Sequence, residues 1–275
     1  MTSHEAGKVI LVVIDGLGLT TAVREMGFLE GLVAAGAARR RTVTSVLPSL
    51  SRPAYESIMT GLAPADHGIT SNYVIRRSEF RSIFTEARAA GRVTAAVAFS
   101  WFAELANGLP FDPVDDRELD DGPGPIQHGR FYLMTPFPDP EVYWMAERMV
   151  RRCAPDLLLV HPMACDYVGH ESGGESVPYR RAAALSDDLL AQRVPGWREA
   201  GYRVIVTADH GMCADGFHGG TEPAVREVPF YLIDPPEGVD WSDDTPPADQ
   251  RAVAPTVLRL MGLDPAPSMT APSLI

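Results

Sequence analysis

At 275 residues and 29.8 kDa the chain is long enough to bury a full core, as one large domain or two small ones. Its 45% hydrophobic and 22% charged residues are the proportions of an ordinary soluble globular protein. A net charge of −12, with a pI near 5.0, sets it against duplex DNA and other large polyanions, while bound cations can still reverse the sign locally for a small anionic substrate.

Met1 to Lys8 shows no basic stretch leading into an apolar core and cleavage site, so no secretory leader is expected there. Lys8 to Ile14 is an almost continuous apolar run, the mark of a strand covered on both faces, too short to span a membrane and stopped by Asp15-Gly16. Thr21 to Ala35 carries apolar residues at helical spacing, with Gly36 as a stop. Thr42 to Leu47 reads as a second strand, followed by Pro48-Ser-Leu-Ser51-Arg-Pro53, where Pro53 opens a helix running to Thr60. Leu62 to Ser71 is a loop, and Tyr73 to Arg76 reads as a short strand beyond Asn72. Ser82 to Ala90 is expected as helix and Arg92 to Ala98 as strand. From 101 to 140 the pattern weakens into acidic and Gly-Pro-rich sequence, read as a surface insertion or small cap within a single domain spanning 1–275.

Glu141 to Arg152 returns to helix, and Leu157 to Pro162 is a buried strand. Val177 to Arg193 is helical, Tyr202 to Thr207 and Val228 to Ile233 are strands, Pro235 to Pro247 is a turn-rich acidic linker, and Ala252 to Met261 forms a last helix. Strands alternating with helices imply an α/β fold: a mostly parallel central sheet with helices on both faces. Cys153, Cys165 and Cys213 are odd in number and lack CxxC spacing, which points to a reduced cytoplasmic setting and to buried thiols.

Four apolar strands hand over to polar loops. Asp15 follows the first, Ser51 the second, Asp166 and His170 the run from Leu157, and Asp209 and His210 the run from Tyr202, with His218 close behind. In parallel sheets ligands bind at that end of the strands, and Asp and His beside permissive glycines suit a divalent ion that takes nitrogen and oxygen donors. Asp166 and His170 stand four apart, so one helical turn would aim both at one ion.

The ordered set resembles the alkaline phosphatase superfamily, and within it the type I phosphodiesterase/nucleotide pyrophosphatase branch. The motifs are Asp15-Gly16, Pro48-Ser-Leu-Ser51-Arg-Pro53, Thr60-Gly-Leu-Ala-Pro-Ala-Asp-His67-Gly-Ile69, Asn72, Asp166-x-x-Gly169-His170, Asp209-His210-Gly-Met212 and His218-Gly-Gly. The resemblance implies an alkaline phosphatase-like fold and a two-metal phosphohydrolase acting on a small phosphate ester, with neither a nucleic acid polymer nor a membrane as partner. Asp166, His170 and His218 would hold one metal; Asp15, Asp209, His210 and the Ser51 oxygen would hold the other. Zn²⁺ is favoured, with Mn²⁺ as the alternative. Ser51 is implied as the nucleophile that forms a phosphoseryl intermediate, and Asn72 as a donor to a phosphate oxygen. The helix after Ser51 is implied to point N–H groups at the phosphoryl oxygens. Two dications against three carboxylates and a serine alkoxide leave a charge of about zero before the phosphate arrives. His67 and His161 are read as supporting residues.

Serine stands where nucleotide pyrophosphatases mostly carry threonine. Tyr55 occupies the place of the arginine of the sulfatase motif, which disfavours a sulfatase. A phosphomonoesterase would need a cation for its extra charge, for which Arg52, Arg76 and Arg77 are the candidates. In the extended reading Arg76 sits about 13 Å beyond Asn72 and suits a distal anionic group, hence diesters or pyrophosphates over monoesters. Phosphonate hydrolysis and a metal-binding protein without turnover are the remaining alternatives.

Overall fold

The computed structural model describes residues 7–242 and 244–275, so the reading of the first six residues lies outside the described residues. In chain order the elements are β1 (Lys8–Val13), α1 (Leu19–Glu25), α2 (Gly27–Ala34), β2 (Ala38–Thr44), α3 (Ser51–Thr60), α4 (Pro64–His67), α5 (Ile83–Ala89), β3 (Thr94–Phe99), α6 (Ser100–Ala106), β4 (Glu118–Leu119) and β5 (His128–Tyr132). There follow α7 (Asp139–Cys153), β6 (Leu157–Val160), α8 (Ala164–Ser172), α9 (Val177–Glu199), β7 (Tyr202–Thr207), α10 (Pro223–Arg226), β8 (Glu227–Ile233), β9 (Ala248–Asp249), a 3₁₀ turn at Gln250–Ala252, and α11 (Val253–Leu260).

The strands form one nine-stranded sheet in the order β4-β5-β3-β6-β1-β7-β8-β2-β9, in which only β4 and β8 run against the rest. This is the mostly parallel sheet with helices on both faces that was expected. β1 lies near the middle, paired in parallel with β6 and β7, and Val9 to Val13 are fully buried because helices cover both faces. On one face α2, α7 and α9 pack together, and on the other α3, α5 and α11. Among the described residues no helix is long and apolar enough to cross a membrane.

Several local expectations are corrected. The single helix over Thr21–Ala35 is two, because Met26 leaves helical geometry at φ −95°, ψ 70°. The second strand starts earlier and ends at Thr44, so Ser45 to Leu50 form the approach to α3, which begins at Ser51. Tyr73 to Arg76 is irregular, so the extended reading that placed Arg76 13 Å away does not hold. The stretch 101–140 is partly sheet: β5 pairs with β3 along its length, and β4 closes the edge. Helix α9 runs past Arg193 to Glu199.

Candidate metal centre

The C-terminal ends of β6, β1 and β7 are neighbours in the sheet, and the loops leaving them converge. After β1 the chain turns at Asp15-Gly16, where Gly16 adopts φ +73° and a Cβ would lie 2.7 Å from the Asp166 Cα. Glycine there lets α8 approach the turn. Tyr179 of α9 pins the same turn, its hydroxyl donating to the Gly16 carbonyl at 2.5 Å and accepting from the Gly18 N–H at 3.0 Å. The N-terminus of α8 is tied to Asp139, whose carboxylate accepts the Met163 and Ala164 N–H groups at 3.1 Å each. The loop after β7 folds back at Gly216, φ +79°, where a Cβ would meet the Gly169 carbonyl oxygen at 2.8 Å. It delivers His218 to the end of α8.

The first cluster is Asp166, His170 and His218. One turn of α8 does present Asp166 and His170 together, with Asp166 Oδ1 3.4 Å from His170 Nε2 and 3.6 Å from His218 Nε2. His170 Nδ1 lies 2.8 Å from the Gly216 carbonyl oxygen and His218 Nδ1 lies 3.0 Å from that of Ser49. A carbonyl only accepts, so each Nδ1 carries the proton and each Nε2 presents a lone pair. Those two Nε2 atoms face each other at 3.1 Å. Two lone pairs and a carboxylate oxygen at that separation are a donor set for a cation.

The second cluster joins it. Asp15, Asp166 and His210 bring a donor atom each within 4.8 Å of one another, so Asp166 borders both groups. His210 Nδ1 is held by the Gly211 carbonyl at 3.0 Å, which turns Nε2 toward the cluster, 3.1 Å from Asp209 Oδ2, 3.5 Å from Asp15 Oδ1 and 3.2 Å from the Ser51 Oγ. Asp15 and Asp209 each keep one oxygen for the protein. Asp15 Oδ2 accepts from Tyr55 and from His161 Nε2 at 3.1 Å, and Asp209 Oδ1 accepts from the Gly16 N–H at 3.0 Å. Asp15 Oδ1, Asp209 Oδ2 and Asp166 Oδ1 are buried without a hydrogen-bond partner. Orphaned buried acceptors of this kind are unfavourable unless something positive meets them, so the residues fit divalent metal.

The protonation equilibria carry the same strain. Burial, then the charge of Asp15, pushes Asp166 up to about 7, and the same two causes push Asp209 well above the usual carboxylate range. Burial also acts on Asp15, but His161, His210 and Tyr55 outweigh it and hold the carboxyl at about 2. Burial, then His210, lowers His218 to about 3. Carboxylates this close do not all ionise without a compensating cation.

Ser51 is the first residue of α3, with its hydroxyl among these donors. The helix N-terminus offers less than expected: the Arg52 N–H goes to Asn72 Oδ1 at 3.0 Å, Pro53 has none, and the Ala54 N–H returns to the Leu50 carbonyl at 2.9 Å. That leaves the Ser51 N–H for an anion. Asn72 therefore sits against the first turn of α3. His161 supports Asp15, and His67 pairs with Ser57 at 3.0 Å away from both clusters. Arg76 donates to the His67 carbonyl at 2.5 Å and pairs with Glu79 at 3.0 Å. Sequence reasoning missed Tyr55, Tyr179 and Asp139. Tyr55 was visible as the residue in place of the sulfatase arginine, but nothing local announced its bond to Asp15.

A cavity of about 1270 Å³ lined by Lys8, Tyr202, Arg203, Asp234 and Trp241 lies at the opposite end of the strands, away from these donors.

A family model described as type I phosphodiesterase / nucleotide pyrophosphatase matches residues 9–215. The 2,3-bisphosphoglycerate-independent phosphoglycerate mutase of Ruegeria pomeroyi is 37% identical over 125 residues, 44% of this chain and 24% of that protein. The chain thus spans about a quarter of the length of the curated relatives it matches first. Murine ectonucleotide pyrophosphatase / phosphodiesterase 5 has the same fold, with a TM-score of 0.69 at 14% identity over 94% of this chain and 96% of that one. Phosphonoacetate hydrolase from Sinorhizobium meliloti, solved with phosphonoformate, gives 0.54 at 23% identity over 75% of this chain and 57% of that one.

Proposed function

The chain belongs to the type I phosphodiesterase/nucleotide pyrophosphatase family, and from that premise we propose that it hydrolyses a phosphodiester or pyrophosphate bond of a small substrate, with Ser51 as nucleophile. The observation that carries this reading is the convergence of bare Asp and His donors on the Ser51 hydroxyl. Asp166, His170 and His218 would hold one cation, and Asp15, Asp209, His210 and the Ser51 oxygen the other. Mixed carboxylate and imidazole donors favour Zn²⁺, with Mn²⁺ second. When bound, the two cations neutralise the phosphoryl oxygens and lower the pKa of the serine hydroxyl.

The chain's own residues do the rest. Ser51 Oγ attacks phosphorus in line with the departing oxygen, the Oγ–P bond forming as the bond to the leaving group breaks. Water then cleaves the phosphoseryl ester and restores the hydroxyl. The Ser51 N–H and the Asn72 amide are the donors at hand for the phosphoryl oxygens.

The arginines support a diester over a monoester. A monoester dianion needs a further cation, and the sole lysine of the sequence, Lys8, lies at the far end of β1. Arg52 and Arg76 are already engaged by Glu104 and Glu79, and Arg77 is exposed beside Ser78 and Phe80, in a pocket lined by none of the Asp and His donors. Three free cysteines support a reduced, cytoplasmic setting. The test is turnover of bis(p-nitrophenyl) phosphate, p-nitrophenyl phosphate and a p-nitrophenyl phosphonate ester by the Zn²⁺- or Mn²⁺-loaded protein. The diester is expected to give the highest kcat/KM. Dominant monoester turnover would hand the site to a phosphomonoesterase, and a dominant phosphonate ester to a phosphonate hydrolase. No turnover at all would leave a binding protein.

A further inference from the structure

Arg52 follows the nucleophile directly, yet its side chain is only 1% exposed. A guanidinium is costly to bury, so its partners show what it is held there for. Nη2 pairs with Glu104 Oε2 at 2.7 Å, and the guanidinium carbon lies 4.3 Å over the Trp101 ring. Nε donates to the Asn72 carbonyl at 3.2 Å, and the Arg52 backbone N–H donates to Asn72 Oδ1 at 3.0 Å. One residue therefore grips Asn72 at two points, main chain and side chain. With Oδ1 occupied as an acceptor, the amide nitrogen is the end of Asn72 left to donate to a phosphoryl oxygen. Asn72 itself sits in an irregular stretch, where no helix or strand ladder sets its backbone.

We propose that Arg52, clamped between Trp101 and Glu104, is the positioning residue that fixes the Asn72 amide for the phosphoryl group. This rests on Asn72 being the phosphate donor. Arg52 Nη1 has no partner, which offers the competing possibility of direct substrate contact, and the experiment separates the two.

The experiment is a double-mutant cycle of Asn72→Ala and Arg52→Lys in the Zn²⁺-loaded protein, read as kcat/KM on bis(p-nitrophenyl) phosphate and as affinity for inorganic phosphate by calorimetry. Asn72→Ala removes one oxyanion donor and is expected to lose roughly 10²- to 10³-fold in kcat/KM. Arg52→Lys should lose a comparable factor, and the double variant no more than Asn72→Ala alone, because Arg52 acts through Asn72. Phosphate affinity should follow the same non-additive pattern, with two metals retained throughout. Independent losses that multiply would overturn the proposal and assign Arg52 to substrate contact or general stability. Should Arg52→Lys fail to fold, Glu104→Gln carries the same cycle, since it loosens the clamp from a partly exposed position. A wild type that turns over no ester fails the functional reading; additive losses in an active enzyme fail only this inference. The phosphate arm still decides it when turnover is absent.

Discussion

Asp15 divides its two oxygens between the protein and the metal site. Tyr55 and His161 hold Oδ2, and Tyr132 in turn holds His161, its hydroxyl 3.0 Å from Nδ1. Tyr55 is fully buried and stacks on Phe102 at 4.3 Å, so Tyr55→Phe removes one hydroxyl and keeps the packing. Groups that orient a ligand from behind are worth about 10- to 100-fold in metal affinity. Tyr55→Phe should weaken binding of added Zn²⁺ by about that factor, measured by competition with a chelating dye. Tyr143→Phe, another buried tyrosine, paired with Ser186, is the control and should change neither site. Equal affinities in all three proteins would remove Tyr55 from the argument. Ser51→Ala leaves every Asp and His donor in place. It should lose at least about 10³-fold in kcat, the scale seen when a nucleophile is deleted, with metal content unchanged by elemental analysis. At this scale the donors were legible because they lie in the loops that follow apolar runs, and Asp15, His170, His210 and His218 stand beside a glycine. Tyr55 and Glu104 were not, because their meaning lies in partners 40 and 52 positions away; His161 was read as a supporting residue, but not as the partner of Asp15, 146 positions away.

At the scale of the element, α3 carries Ser51 at its first turn and Glu56 in its middle. Glu56 is fully buried; Ser78 donates to Oε1, and Oε2 has no partner. Burial pushes its carboxyl up to about 7 against the bonds from Ser78 and the charge of Arg76. The unfolded chain releases this proton near 4.5 while the folded chain keeps it to about 7. Between those values the folded state binds more protons, so stability falls as pH rises through the window. The loss is on the order of 3 kcal/mol. Glu56→Gln should therefore raise Tm at pH 8 and give little or no gain at pH 4.5, read by thermal unfolding. A gain independent of pH would mean that the carboxylate is not responsible. The elements themselves were legible unevenly. β1, β6 and β7 are continuous apolar runs and could hardly be anything but buried strands. The break at Met26 was missed although Gly27 follows it, because a glycine inside an apolar pattern at helical spacing does not by itself end a helix; the irregular path at 73–76 carries no Gly or Pro to mark it, and the pairing of β5 with β3 is not local information.

For the whole molecule, three carboxylate oxygens without hydrogen-bond partners beside the imidazoles of His170, His210 and His218 would make a bound metal part of the stability. A ligand present at about 1,000 times its Kd adds about 4 kcal/mol. In a chain of this size that is worth roughly 10 °C in Tm. Chelation should lower Tm by about this much and Zn²⁺ should restore it; a midpoint that ignores both would mean that the donors hold nothing. The site also has an order in time. Asp15 leaves the ribosome well before its partners: the Gly16 turn meets Asp209 only across a separation of 193 residues, and His218 comes later still. At about 5–20 residues per second that is a wait of roughly 10–40 s. No ion can template the nascent chain, because the early strand β1 has its neighbours β6 and β7 still to come. The full donor set is thus complete only once His218 has emerged, and a chain cut short before Tyr202 carries Asp15 and Ser51 but lacks Asp209, His210 and His218.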